Sequence, residues 1–149
     1  MANSFLGTGM KFPPQIDPTT GRFATVSEEE SVKESIYLIL MTQQTERIAR
    51  PGFGSNLLSH TFMDMGNTSI SMLKYGLADL IREQEPRIGS VTITTDRAEN
   101  QGVLFINVEY TIRDTNTVDN LVFPFYLNAE PTEPEEEPEF YEPQIIENV

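Results

Sequence analysis

The chain of 149 residues contains no cysteine, no tryptophan and a single histidine, His60. Without cysteine there is no disulfide framework, no thiolate metal site and no cysteine nucleophile, a usage that fits a reducing compartment. One histidine cannot build a multi-histidine metal centre within one chain. Positive charge is scarce as well: 10 Lys and Arg stand against 23 Asp and Glu, a net charge of −13. Such a balance excludes a protein whose main task is gripping nucleic acid or an anionic membrane, since little neutralises phosphate. Long hydrophobic runs are absent too. The longest, Ile36 to Met41, has six residues, against roughly 20 for a membrane span. The start of the chain lacks the basic and apolar stretches of a signal peptide.

What is present is unevenly distributed. Residues 128–149 hold eight glutamates, four prolines and no Lys or Arg, which leaves only −5 for residues 1–127. A mildly acidic domain therefore precedes an acidic, proline-rich tail that cannot repay its own ordering entropy. The tail regains apolar character at Phe140-Tyr141 and Ile145-Ile146, enough for a short docking motif. Three divisions follow: residues 1–26 as an irregular segment with short strands, 27–127 as the main domain, and 128–149 as the tail.

Within the domain, periodicity predicts two helices and then three strands. Ser27 with Glu30 forms a capping box ahead of a stripe made by Val32, Ile36, Ile39 and Leu40. A connector over residues 42–65 leads to a second helix with Ile70, Leu73, Leu77, Leu80 and Ile81 on one face. Gly76 in that helix is expected to mark close packing against a neighbour, and Pro86 ends it. Alternation over 90–95, 103–112 and 121–127 gives strands joined by polar loops of hairpin length. Pro124 removes a ladder donor and marks an edge or a bulge. The predicted class is α+β: two main helices on a small, mostly antiparallel sheet built largely from the three C-terminal strands.

Chemistry is harder to place. Glu46 and Glu85 are the most interesting carboxylates, but Arg47 and Arg87 lie beside them in sequence. A nearby guanidinium favours the ionised form, the reverse of what the general acid of a glycosidase requires. Gly52-Phe53-Gly54-Ser55 lacks the lysine and spacing of a phosphate loop, and the acidic tail lacks the ligand pattern of a calcium loop. No catalytic residue, metal site or cofactor is assigned. The aromatic-rich strands instead offer a surface for strand addition by a protein partner.

Several blocks go beyond generic physics. Phe5-Leu6-Gly7, Phe12-Pro13-Pro14 and Gly21-Arg22-Phe23-Ala24-Thr25 precede the first helix. Ile39-Leu40-Met41-Thr42, Glu46-Arg47 and Arg50-Pro51-Gly52-Phe53-Gly54 follow, then Glu85-Pro86-Arg87 and Asn120-Leu121-Val122-Phe123-Pro124-Phe125-Tyr126. In this order they resemble the baseplate wedge, or sheath-initiator, family of contractile phage tails and related contractile injection systems. The resemblance implies a non-enzymatic protein, assembled in the cytoplasm of a bacterial host and then part of the tail baseplate. Its implied partners are wedge core-bundle proteins, first-ring sheath subunits and tail tube or hub proteins, without nucleic acid or membrane insertion. It also implies that Glu85, Pro86 and Arg87 form the loop meeting the core bundle, with Glu46, Arg47, Phe105 and Phe125 as further partner contacts. An internal Glu85–Arg87 ion pair is the competing reading of that motif. Members of the family often carry glycine where this chain has Thr45, and the acidic tail lies outside the pattern. The alternatives are a peptidoglycan hydrolase (tail lysozyme) of the same particle and a cytosolic adaptor of the same fold.

Overall fold

Alternating side chains decide which face of each C-terminal strand meets the helices. In the computed structural model, which describes residues 5–61, 66–98 and 102–127, these strands are β3 (Ile88–Ala98), β4 (Val103–Ile112) and β5 (Val118–Tyr126). They form an antiparallel sheet in the order β3-β4-β5. Leu104, Ile106, Val108, Tyr110 and Ile112 of β4 are buried, while Phe105 and Glu109 face outward. On β5, Phe123 and Phe125 point inward and Val118, Val122 and Tyr126 stay exposed. β5 lies at the sheet edge, as Pro124 requires. A register irregularity between Ile88 and Ser90 lets both Ile88 and Val91 face the core, although they differ in parity.

β1 (Thr8–Met10) and β2 (Thr25–Ser27) form a second, two-stranded antiparallel sheet. Helix α1 (Glu28–Met41) follows β2 directly. Ser27 occupies the N-cap position, but its side chain makes no capping bond, so the predicted capping box does not form. Ser27 is instead the last residue of β2, paired with Thr8, and Glu28 donates its N–H to the Gly7 carbonyl at 3.1 Å. Val32, Ile36 and Leu40 of α1 join Leu73, Leu77 and Ile81 of α2 (Asn67–Gln84) in one core beneath the sheet. The second side of α1 is covered by the N-terminal segment, with the Tyr37 ring between Phe12 and Phe123. Tyr110 is fully buried and its hydroxyl donates to Asp119, which also meets Lys33 of α1 at 3.5 Å.

The arrangement is α+β, with two helices packed on a three-stranded antiparallel sheet. Gly76 departs from expectation: a Cβ placed there would meet nothing within 4 Å. It faces open space beside the connector, not a tightly packed neighbour. Among the described residues no helix is long and apolar enough to cross a membrane.

Candidate functional site

The Glu85-Pro86-Arg87 corner starts at the C-terminus of α2, where Glu85 donates its N–H to the Ile81 carbonyl at 2.9 Å. Pro86 cannot continue the helix, and Ile88 closes the turn by donating to the Glu85 carbonyl at 3.2 Å. The turn leaves Pro86 exposed and folds the side chains on either side of it inward. The Arg87 guanidinium then meets the Glu85 carboxylate in a fork, Nε to Oε1 at 2.7 Å and Nη2 to Oε2 at 2.6 Å. Arg87 Nη1 also donates to the Leu6 carbonyl at 2.8 Å and to the Ser31 hydroxyl at 3.3 Å. One side chain therefore ties the N-terminal segment, the start of α1 and the α2–β3 turn together.

Burial alone would push the Glu85 carboxyl up. Hydrogen bonds from Arg87 and Ser35, together with the guanidinium charge, outweigh it and hold the group below the ordinary glutamate range. Glu85 is buried, and the competing reading, an ion pair within the chain, is the arrangement found. Its carboxylate is thus turned away from any outside partner, a correction to its expected surface role.

Glu46 and Arg47 lie on the connector, both exposed. Glu46 accepts the Gln43 N–H at 3.0 Å, and Arg47 sits over the Phe53 ring at 4.3 Å, with Arg50 at 5.7 Å from the same ring. Neighbouring geometry is demanding. Thr45 adopts φ +74°, a left-handed conformation costly for a β-branched residue. Gly54, at φ +104°, has no room for a side chain, since a Cβ would run into the Thr42 carbonyl oxygen. The Thr45 position thus keeps a glycine-like turn without a glycine.

Gln84 joins the two motifs, and no signal in the sequence marks it. Its Oε1 accepts the Gly54 N–H at 2.8 Å, and its Nε2 donates to the Gly52 and Gly54 carbonyls, each at 3.1 Å. This clamp sets Arg50 and Phe53 in one concavity with Pro86. Phe105 and Phe125 are not brought together. Phe105 is 37% exposed on the outer face opposite Pro124, whereas Phe125 is 5% exposed inside the core. Its place on the inward face of β5 corrects its expected role as a surface contact. Among the described residues no group of three His, Asp or Glu could hold a metal ion.

The family model described as baseplate wedge protein gp25 matches residues 26–117, more than half of the chain. The chain belongs to the baseplate wedge protein gp25 family. Membership makes it a structural component of the baseplate of a contractile tail particle. The wedge-family match takes in Glu46, Arg47, Phe105 and the Glu85–Arg87 corner and stops one residue before β5. A crystal structure of a Geobacter sulfurreducens protein described as a tail lysozyme is similar at 38% identity, over 68% of this chain and 93% of that one, with a TM-score of 0.60. A chain in the cryo-EM baseplate of the anti-feeding prophage shares the wedge-family fold at TM-score 0.55 and 21% identity, over 84% of this chain and 89% of that one. Comparison with curated proteins finds no match.

Proposed function

We propose that this baseplate component joins the wedge core bundle to the tail tube or hub and starts the sheath by offering its β5 edge to a first-ring sheath subunit. The observation that carries this reading is the outer stripe of β5. Val118, Val122 and Tyr126 are each more than half exposed on an edge strand, and Phe105 extends the stripe onto β4. An apolar strand edge left open on a free chain is a template for pairing. Pro124 lacks an N–H, so an incoming strand must bond at positions flanking it.

At the other end of the sheet, exposed Pro86 and the Arg47–Phe53–Arg50 cluster form the face for the core bundle. The Glu85–Arg87 pair holds that face in shape from within. In this reading assembly takes place in the cytoplasm of the bacterial host, residues 27–127 carry it, and residues 128–149 are an appendage.

Particles carrying Val122→Asp together with Tyr126→Asp test the reading. Baseplates should complete but remain bare of sheath in electron micrographs, and sheaths of normal length would overturn it. The description of the Geobacter relative favours a second reading, a peptidoglycan hydrolase. Against it, Glu85 is held ionised by a bidentate guanidinium and has no proton to donate near neutrality. Peptidoglycan turbidity with Glu46→Gln and Glu85→Gln separates the two, because lysis that depends on either carboxylate supports the enzyme.

A further inference from the structure

An apolar groove of about 390 Å³ runs along α2 where the connector passes it, away from both the sheet face and the Glu85–Arg87 pair. Leu57, Met72, Leu73, Gly76, Leu77 and Leu80 line it. Met72 is 72% exposed, and Gly76 opens the helix surface so that another chain could approach its backbone. Leu80 continues the groove into the concavity that holds Arg50 and Phe53, with Arg47 stacked on the same ring. The groove therefore has an apolar floor and a cationic end.

The chain carries a segment of matching chemistry. Residues 128–149 contain eight glutamates and no Lys or Arg, and the acidic run precedes Phe140, Tyr141, Ile145 and Ile146. We propose that residues 140–146 of the chain's own tail dock in this groove, with the preceding glutamates steered by Arg47 and Arg50. Reach permits it. The tail leaves the sheet beyond Tyr126, which pairs with Val103 at the end opposite the corner, where Ile88 pairs with Ile112. The 12 residues 128–139 span up to about 40 Å, and the 18 residues of α2 are roughly 27 Å long. The acidic run can thus pass the whole helix, meet the arginines and return its apolar end along the groove. Glu83 shares the cationic concavity, so the apolar contact supplies the binding and the arginines its direction. No described β5 residue lines the groove, so the docking is independent of the sheath reading. Arg47 and Arg50 also belong to the face proposed for the core bundle, so the tail and the bundle compete for them.

The absence of cysteine makes the test clean. Glu147→Cys in the full chain gives a single thiol for a nitroxide label. Methyl resonances of Met72, Leu73, Leu77 and Leu80 should broaden, while that of Val122 on the outer sheet face should not. A Cβ at position 76 meets nothing within 4 Å, so Gly76→Leu reaches into the groove from an unobstructed helix position. With the helical signal and melting midpoint of the variant checked against wild type, the broadening should be lost. Arg47→Glu with Arg50→Glu should weaken it, and more so at low salt, where repulsion is least screened. Selective broadening absent from the full chain, or surviving Gly76→Leu, overturns the proposal. Broadening seen only between a labelled and an isotope-labelled molecule assigns the groove to a second copy and overturns it too. Groove methyls that shift with Phe62→Ala but not with Phe140→Ala give the groove to residues 62–65, which likewise overturns it.

Discussion

Glu85 and Arg87 face each other across Pro86 through two N–H···O bonds of 2.7 and 2.6 Å, and the same guanidinium reaches the carbonyl of Leu6, 81 positions earlier. The motif is therefore a clasp inside the molecule before it is a surface. Removing one member of a buried pair leaves the other charge uncompensated, at a cost of about 3–5 kcal/mol. Arg87 is about one quarter exposed, and solvent screening places Arg87→Ala near the lower end, about 3 kcal/mol. Urea denaturation of the free protein should show that loss. A variant of wild-type stability that fails only in baseplate assembly would return Arg87 to the surface role implied by the family resemblance.

The same pair shapes the acid limb of stability. Glu85 is held below its ordinary pKa in the folded chain, so the unfolded chain binds its proton more readily. Its contribution is complete above the ordinary glutamate range and is lost as pH falls through the depressed folded value. Asp119 is also lowered and adds to the wild-type slope. Comparing stability from pH 7 downward in wild type and Glu85→Gln isolates the pair: the two curves should converge as the medium becomes acidic. Curves that stay parallel would show that Glu85 titrates equally in both states.

Thr45 takes a left-handed conformation that costs a residue with a Cβ about 1–2 kcal/mol. Glycine removes that cost but gives back part of it through a freer unfolded chain. Thr45→Gly should therefore raise stability by about 0.5–1 kcal/mol, read from the chemical denaturation midpoint. Gly54→Ala should move it the other way, because the Thr42 carbonyl occupies the space.

Helix α2 and strand β4 are legible in the sequence because each repeats one period without interruption. Ile70, Leu73, Leu77 and Ile81 of α2 and the alternate residues of β4 are buried as their stripes predict, while Leu80 is only half-buried and Ala78 takes an inward place beside it. Legibility fails where a distant backbone decides the matter. Ser27 has the residue type and position of a cap, yet its pairing with Thr8 takes over. The start of β3 is hidden because the irregularity after Ile88 switches parity. Gln84 bonds a backbone 30 residues upstream, and Arg87 bonds Leu6 and Ser31; nothing local marks such partners. Phe125, by contrast, is readable: it alternates in step with Phe123 and Leu127, and all three are buried. A residue on an inward face serves the core before it serves a partner.

That distinction separates the two phenylalanines experimentally. Phe125 is 5% exposed within the core, and Phe125→Ala should cost about 3–5 kcal/mol. Phe105 is 37% exposed on the outer face, and Phe105→Ala should cost under about 1 kcal/mol. Thermal melts of the two variants check the assignment directly. Only Phe105→Ala then leaves a folded chain in which loss of sheath growth reports on the interface. Equal destabilisation by both substitutions would mean that the outer face of β4 is already covered in the free protein, leaving no apolar stripe for a sheath strand to meet.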